Sequence, residues 1–250
     1  MSFPALLQDS VFDNATVVAS STAAGNFNAA NISDLRNYTF WKPATLPATL
    51  TIDCGAAVPA DYFALFAHNL FSCGCTAQLV GSTDNFSTSN VTVATLAPTG
   101  DLPAAIKFNS VSYRYWKISI TGTTPPTIGI ALAGAGLYMP TGVESGYDPI
   151  GTQITGSQNT NDNGNPLGII IDSEGAARTL QFKFVTWTWL RNTFLPAWRN
   201  GLRGSPALLA WDLANYPNEI RLVKLGMKWN TPHQAGQWAD LSFDISGPAS

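Results

Sequence analysis

His68 and His233 are the only imidazoles in the sequence, so general acid–base chemistry near neutral pH has two residues to draw on. His68 ends an apolar run and precedes Asn69, the position of a strand-end histidine bonded to loop backbone. His233 lies in a Pro/Gln/Gly loop and is expected in solvent. Neither is accompanied by a G-x-S-x-G elbow or an H-E-x-x-H pair. The Gly-rich run Gly129–Gly136 (GIALAGAG) lacks both G-x-G-x-x-G spacing and a P-loop lysine, and reads as a tightly packed strand. Asp53 and Asp61 are close enough in sequence to meet across a hairpin. A glycosidase pair needs a defined separation and a sugar cleft, so both are read as strand-end turn formers. Cys54, Cys73 and Cys75 are odd in number and include one C-x-C pair, which is not a disulfide framework. A zinc site needs further ligands, and His68 is the only candidate, so Cys54 is expected as a small core residue. No catalytic residue, metal or cofactor is expected, and the chain is not read as an enzyme.

Binding chemistry is better represented. Arg36, Tyr38 and Trp41 fall in one loop, where flat aromatic faces beside polar groups suit stacking and hydrogen bonding to a sugar. Packing at a sheet edge is the competing role for these aromatics. A second set, Trp189, Arg191, Arg199 and Arg203, surrounds the one segment that reads as a helix, Thr186–Gly201. Trp187, Leu190, Phe194 and Trp198 recur at helical spacing, Thr186 suits the N-cap and Gly201 the C-terminal stop. Pro196 should kink or divide that helix. At roughly 100° per residue, Trp189 points about 160° away from the Trp187–Phe194 face. It is therefore expected outside, as an anchor between subunits, or packed under the Asn159–Pro166 turn of its own chain. The three arginines are expected to pair with acids on a neighbour or to remain a solvated face.

The elements that must carry these residues are mostly strands. Ala5–Leu7, Val17–Ser21, Thr49–Asp53, Tyr62–His68, Thr76–Gly81, Val91–Leu96, Ile106–Phe108, Tyr113–Thr121 and Ile128–Tyr138 are each short, apolar and bounded by turn residues. Met139–Gly151 carries two prolines and three glycines and is expected to divide the chain into domains 1–140 and 141–250. The second begins with a hairpin whose tip is Asn159–Pro166. The helix follows, then strands at Ala207–Asp212, Glu219–Trp229 and Trp238–Ile245. The fold class is mainly β: an N-terminal sandwich and a C-terminal antiparallel β domain with one helix, 186–201.

Several motifs occur in a telling order: Trp41, Thr51-Ile52-Asp53-Cys54-Gly55, His68-Asn69, Gly81-Ser82 with Asp84 and Phe86, and Tyr113–Ile118. Through them the first 140 residues or so resemble the discoidin or galactose-binding-like family. The resemblance implies a jelly-roll β-sandwich whose ligands meet loops at one end. It also implies either carbohydrate binding or, as in some phage virions, a structural role. The C-terminal element order is similar in outline to phage tail-tube and distal-tail proteins.

Charged residues make up 12% of the chain, about half the usual share, and the net charge is −3. So little charge is poor protection for a free monomer and suggests surface covered in an assembly. No basic stripe invites nucleic acid, no apolar run is long enough for a membrane span, and Met1–Ser10 has no signal-peptide pattern. The expectation is a virion structural protein of a phage tail or baseplate, made in the host cytoplasm. Its partners would be copies of itself and other tail proteins. The alternative is a lectin-like module for host-surface glycan.

Overall fold

The structure, a computed structural model, describes residues 3–13 and 16–248. Among them run thirteen strands: β1 (Ala5–Leu7), β2 (Val18–Ala19), β3 (Ala48–His68), β4 (Cys75–Ser82), β5 (Val91–Leu96), β6 (Ala104–Gly122), β7 (Ile128–Gly134), β8 (Leu137–Tyr138), β9 (Gln153–Thr160), β10 (Pro166–Thr186), β11 (Ala207–Ala210), β12 (Ile220–Asn230) and β13 (Trp238–Pro248). The chain forms two compact units, Met1–Met139 with Leu208–Ile220, and Pro140–Ala207 with Arg221–Ser250. A division at 140/141 assigns all of the later residues to the second domain. The contacts instead return Leu208–Ile220 to the first, where β11 pairs β1 through Leu208, Leu209 and Ala210. β11 is buried at all four residues, so neither of its faces meets water, and β1 lies hydrogen-bonded along one of its edges.

The first unit is a jelly-roll sandwich built on two long strands. The sequence suggests Thr49–Asp53 and Tyr62–His68 as separate strands, and likewise Ile106–Phe108 and Tyr113–Thr121. Each pair is one continuous strand, β3 and β6, bent at irregularities between Asp53 and Val58 and between Ala60 and Tyr62. Gly55, at φ +73°, takes the left-handed conformation that the bend requires. One half of β3 pairs β2 while the other pairs β7, so the same two strands serve both layers. The order around them is β2-β3-β6-β4-β5, with β7 on β3. Trp41, Trp116, Phe63, Leu50, Ile52, Ile118 and Ile120 fill the space between. Each large apolar side chain so buried contributes roughly 1.5–3 kcal/mol. β7 is buried along its whole length, as its small residues allow: a Cβ on Gly134 would collide with the Asp9 carbonyl oxygen.

The second unit orders its strands β12-β13-β10-β9. On β13, Leu241, Phe243 and Ile245 point inward and Ser242, Asp244 and Ser246 do not. They meet Leu180 and Phe182 of β10, with the Phe182 and Phe243 rings stacked at 5.9 Å. The helical segment 187–202 lies in this unit and alternates α turns (Trp187–Trp189, Leu195–Ala197) with π turns (Leu190–Phe194, Trp198–Leu202). Thr186 caps it by accepting from Trp189 N–H at 3.2 Å. The first π turn re-phases the hydrogen-bond ladder just ahead of Pro196, which has no N–H to donate. No helix among the described residues is long and apolar enough to cross a membrane.

Candidate functional site

The loop that carries Arg36, Tyr38 and Trp41 starts from a 3-10 turn, Ala29–Ser33, capped by the Asn28 side chain accepting from Ala30 N–H at 3.0 Å. Asp34 then organises the tip, accepting from Arg36 N–H at 2.9 Å and from the Thr39 hydroxyl at 2.7 Å. These bonds leave Arg36 exposed and Tyr38 71% exposed. Trp41 does not join them. Its backbone exchanges two 2.9 Å hydrogen bonds with Ile128, and its ring is 0% exposed in the sandwich core. The expected three-residue site thus loses its indole to packing, because the bridge to β7 turns Trp41 inward.

The helical set is corrected in a similar way. Trp189 is half-buried and stacks on Phe194 at 6.0 Å, within its own chain. In an i→i+5 turn, residues five apart lie one above the other, so the π turn brings Trp189 onto the face that an α-helix would deny it. Phe194 in turn contacts Trp198, Trp229 and Phe243 at 5.3–6.2 Å. Trp187, expected on the core face, is half-buried instead; its indole N–H donates to His233 Nδ1 at 3.2 Å, and Arg191 lies 5.6 Å over its ring. Neither role proposed for Trp189, an outward anchor or a prop under the 159–166 turn, describes this stack. Arg191, Arg199 and Arg203 are exposed along the segment.

The remaining chemistry-bearing residues have structural partners. His68 is buried, accepts from Leu70 N–H at 3.4 Å, and burial pushes its pKa down toward the neutral form. Asp53 receives both Nε and Nη2 of Arg114 at 2.7 and 2.8 Å, as well as Gly55 N–H, which together hold its carboxyl down at about 2. Asp61 accepts from Gly136 N–H and from the Tyr138 hydroxyl, tying β3 to the β7–β8 corner rather than forming a turn. Asp84 gathers Ser82, Thr88 and Ser89 and is well below the ordinary carboxylate range for that reason, chiefly the Thr88 bond. Among the described residues no three His, Cys, Asp or Glu side chains converge as a metal site.

The hairpin expected around Asn159–Pro166 forms, but it is uncovered along its length. β9 and the first part of β10 form a hairpin in the second unit, exposed at every residue from Thr152 to Thr160 and from Asp162 to Ile171. Its tip is well made: Asn161 Oδ1 accepts from Asn163 and Asn165, and Gly164 N–H donates to the Asn161 carbonyl. Ile154, Leu167, Ile169, Ile170 and Ile171 are each 55–69% exposed. β13 pairs β10 only from Gly175 onward, so residues 166–171 have β9 on one side and no strand of their unit on the other. The available signal was in β9, whose Gln-Ile-Thr-Gly-Ser-Gln-Asn-Thr has no apolar face with which to bury its partner.

No protein-family model matches the chain, and no curated protein matches it. Among solved structures it is similar to chitosan-binding module 1 of a chitosanase/glucanase from Paenibacillus sp. IK-5, at 17% identity and a TM-score of 0.43 over 51% of this chain and 99% of that one. A Clostridium perfringens module solved with GalNAc-β-1,3-galactose gives 17% and 0.43 over 52% and 99%. A family 32 carbohydrate-binding module from C. perfringens in complex with galactose gives 17% and 0.42 over 52% and 98%.

Proposed function

We propose that this chain is a structural subunit that works by assembly, in a particle such as a phage tail or baseplate, and not by chemistry at an active site. The observation that carries this reading is the β9–β10 hairpin, which leaves five large aliphatic side chains in water on a ribbon of two strands. Such a ribbon is marginal by itself and gains stability only when a further strand or surface covers it. A low share of charged residues, 12%, fits a surface meant to be covered. The test is a variant in which Thr152–Ser173 is replaced by a short Gly-containing turn. It should keep the cooperative melting of the rest of the chain and fail to enter particles purified from the source, read by mass spectrometry. A shortened chain found in particles at the wild-type level would overturn the reading.

Attachment to carbohydrate, the ligand class named for the modules above, is a second reading. One observation favours it: Arg36 and Tyr38 stand exposed on a turn that Asp34 holds rigid. Tyr38→Ala should then remove glycan binding at unchanged melting temperature. Glycan binding that survives the change, or that is absent in the wild type, sinks it.

A further inference from the structure

We infer that the free edge of β9 pairs, antiparallel, with the same edge of a second copy of this chain. The inference rests on the assembly reading above and names its partner. β9 closes the order β12-β13-β10-β9, so one whole side of an eight-residue strand has no ladder within its unit. About half of its N–H and C=O groups therefore point outward, as in any edge strand. Proteins blunt such edges with lysine, proline, inward charge or a bulge. β9 has none of these: it carries no charge and no proline. Both irregularities of the hairpin ladder, at Pro166/Gly168 and Ile171/Ser173, put the extra residue on β10, leaving β9 regular. What an unblunted edge accepts is another extended strand, since only a strand returns the donors and acceptors in register.

Charge argues that this strand comes from a copy. From Thr152 to Ile171 the only charged side chain is Asp162, at the tip. In an antiparallel pair the two tips lie at opposite ends, separated by about 27 Å for eight residues at ~3.4 Å each, well beyond a Debye length of about 8 Å. The paired stretch of each β9, Gln153–Thr160, therefore brings no charge against the other, and it offers nothing to attract a strongly charged partner. Pairing also turns two marginal ribbons into one four-stranded sheet, β10-β9-β9-β10, about a twofold axis.

The test uses the full chain and two double variants, Thr155→Glu with Gln158→Glu, and Thr155→Lys with Gln158→Lys. Both positions are exposed, so melting should be unchanged and folding is checked directly. In sedimentation and native mass spectrometry the wild type should form a concentration-dependent dimer. Each variant alone should dimerise about 100-fold more weakly, because like charges face each other across the new ladder. An equimolar mixture of the two should recover a mixed dimer. Three results would overturn the inference: a wild type that stays monomeric up to roughly 100 µM, variants that dimerise as the wild type does, or a mixture that does not recombine. A monomeric wild type that still needs its hairpin to enter particles would end self-pairing and leave the assembly reading standing.

Discussion

Tyr62–Phe66, near the end of β3, and Leu167–Ile171, at the start of β10, are five-residue apolar runs in two long strands, yet one is buried at every residue and the other exposed at every residue. Composition does not separate them. Neighbours do: Tyr62–Phe66 has β6 on one side, β7 on the other and the sandwich core on one face. Leu167–Ile171 has β9 alone. An apolar run states that burial is favourable; whether the chain itself supplies the cover is a question of topology.

The largest expected effect tests that contrast directly. Phe63→Ala should cost about 3–5 kcal/mol, since it leaves a cavity in the sandwich core, where Phe63 is fully buried. Ile170→Ala in the dilute monomer should stay within about 0.5 kcal/mol of wild type. Urea unfolding at low protein concentration measures both, and a comparable loss at the two positions would break the comparison.

A smaller effect sharpens it at β7, the strand paired beside Tyr62–Phe66. Gly134→Ala must move the Asp9 carbonyl that lies against it, with an expected cost of about 1–3 kcal/mol. A Gly156→Ala variant on β9 meets the Ile170 carbonyl instead, and there the two-stranded ribbon can shift outward into water. Its melting temperature should therefore fall less than that of Gly134→Ala.

The smallest effect lies inside β3 itself, where Asp53–Ala57 leaves the core. Asp53 has its carboxyl held down at about 2, against an ordinary 3.8, first by the Arg114 hydrogen bonds and then by Gly55 N–H. A lowered folded pKa means that the interaction stabilises the protein above the ordinary value and is lost as pH falls through about 2. The melting temperature of the wild type should therefore drop more between pH 4 and pH 2 than that of Arg114→Ala. Because the pair is exposed, the difference should be small and should shrink further in high salt. Identical slopes would remove Asp53–Arg114 from the account of acid sensitivity.

Much of the strand pattern follows from sequence alone. Thr49–Asp53, Thr76–Gly81, Val91–Leu96 and Trp238–Ile245 announce themselves by alternation and by the turn residues around them, which are local properties. The helix is legible for the same reason, through its spacing and the Thr186 cap. Its phase is not: the π turn Leu190–Phe194 rotates Trp189 from the expected outer face onto Phe194, whose ring packs in turn on Phe243 of β13. For Trp41 the sequence offered a sugar-stacking role or packing at a sheet edge, and it lies in the sandwich core, with a pair of backbone bonds to Ile128. The return of Leu208–Ile220 to the first unit was beyond local reading altogether, since it depends on pairing with Ala5–Leu7 some two hundred residues earlier. Period, caps and turn residues act over a few positions, so the sequence by itself determined which elements form. Which of those elements find cover, and which stay in water as the hairpin does, was decided by tertiary structure, because burial depends on residues that only folding brings together.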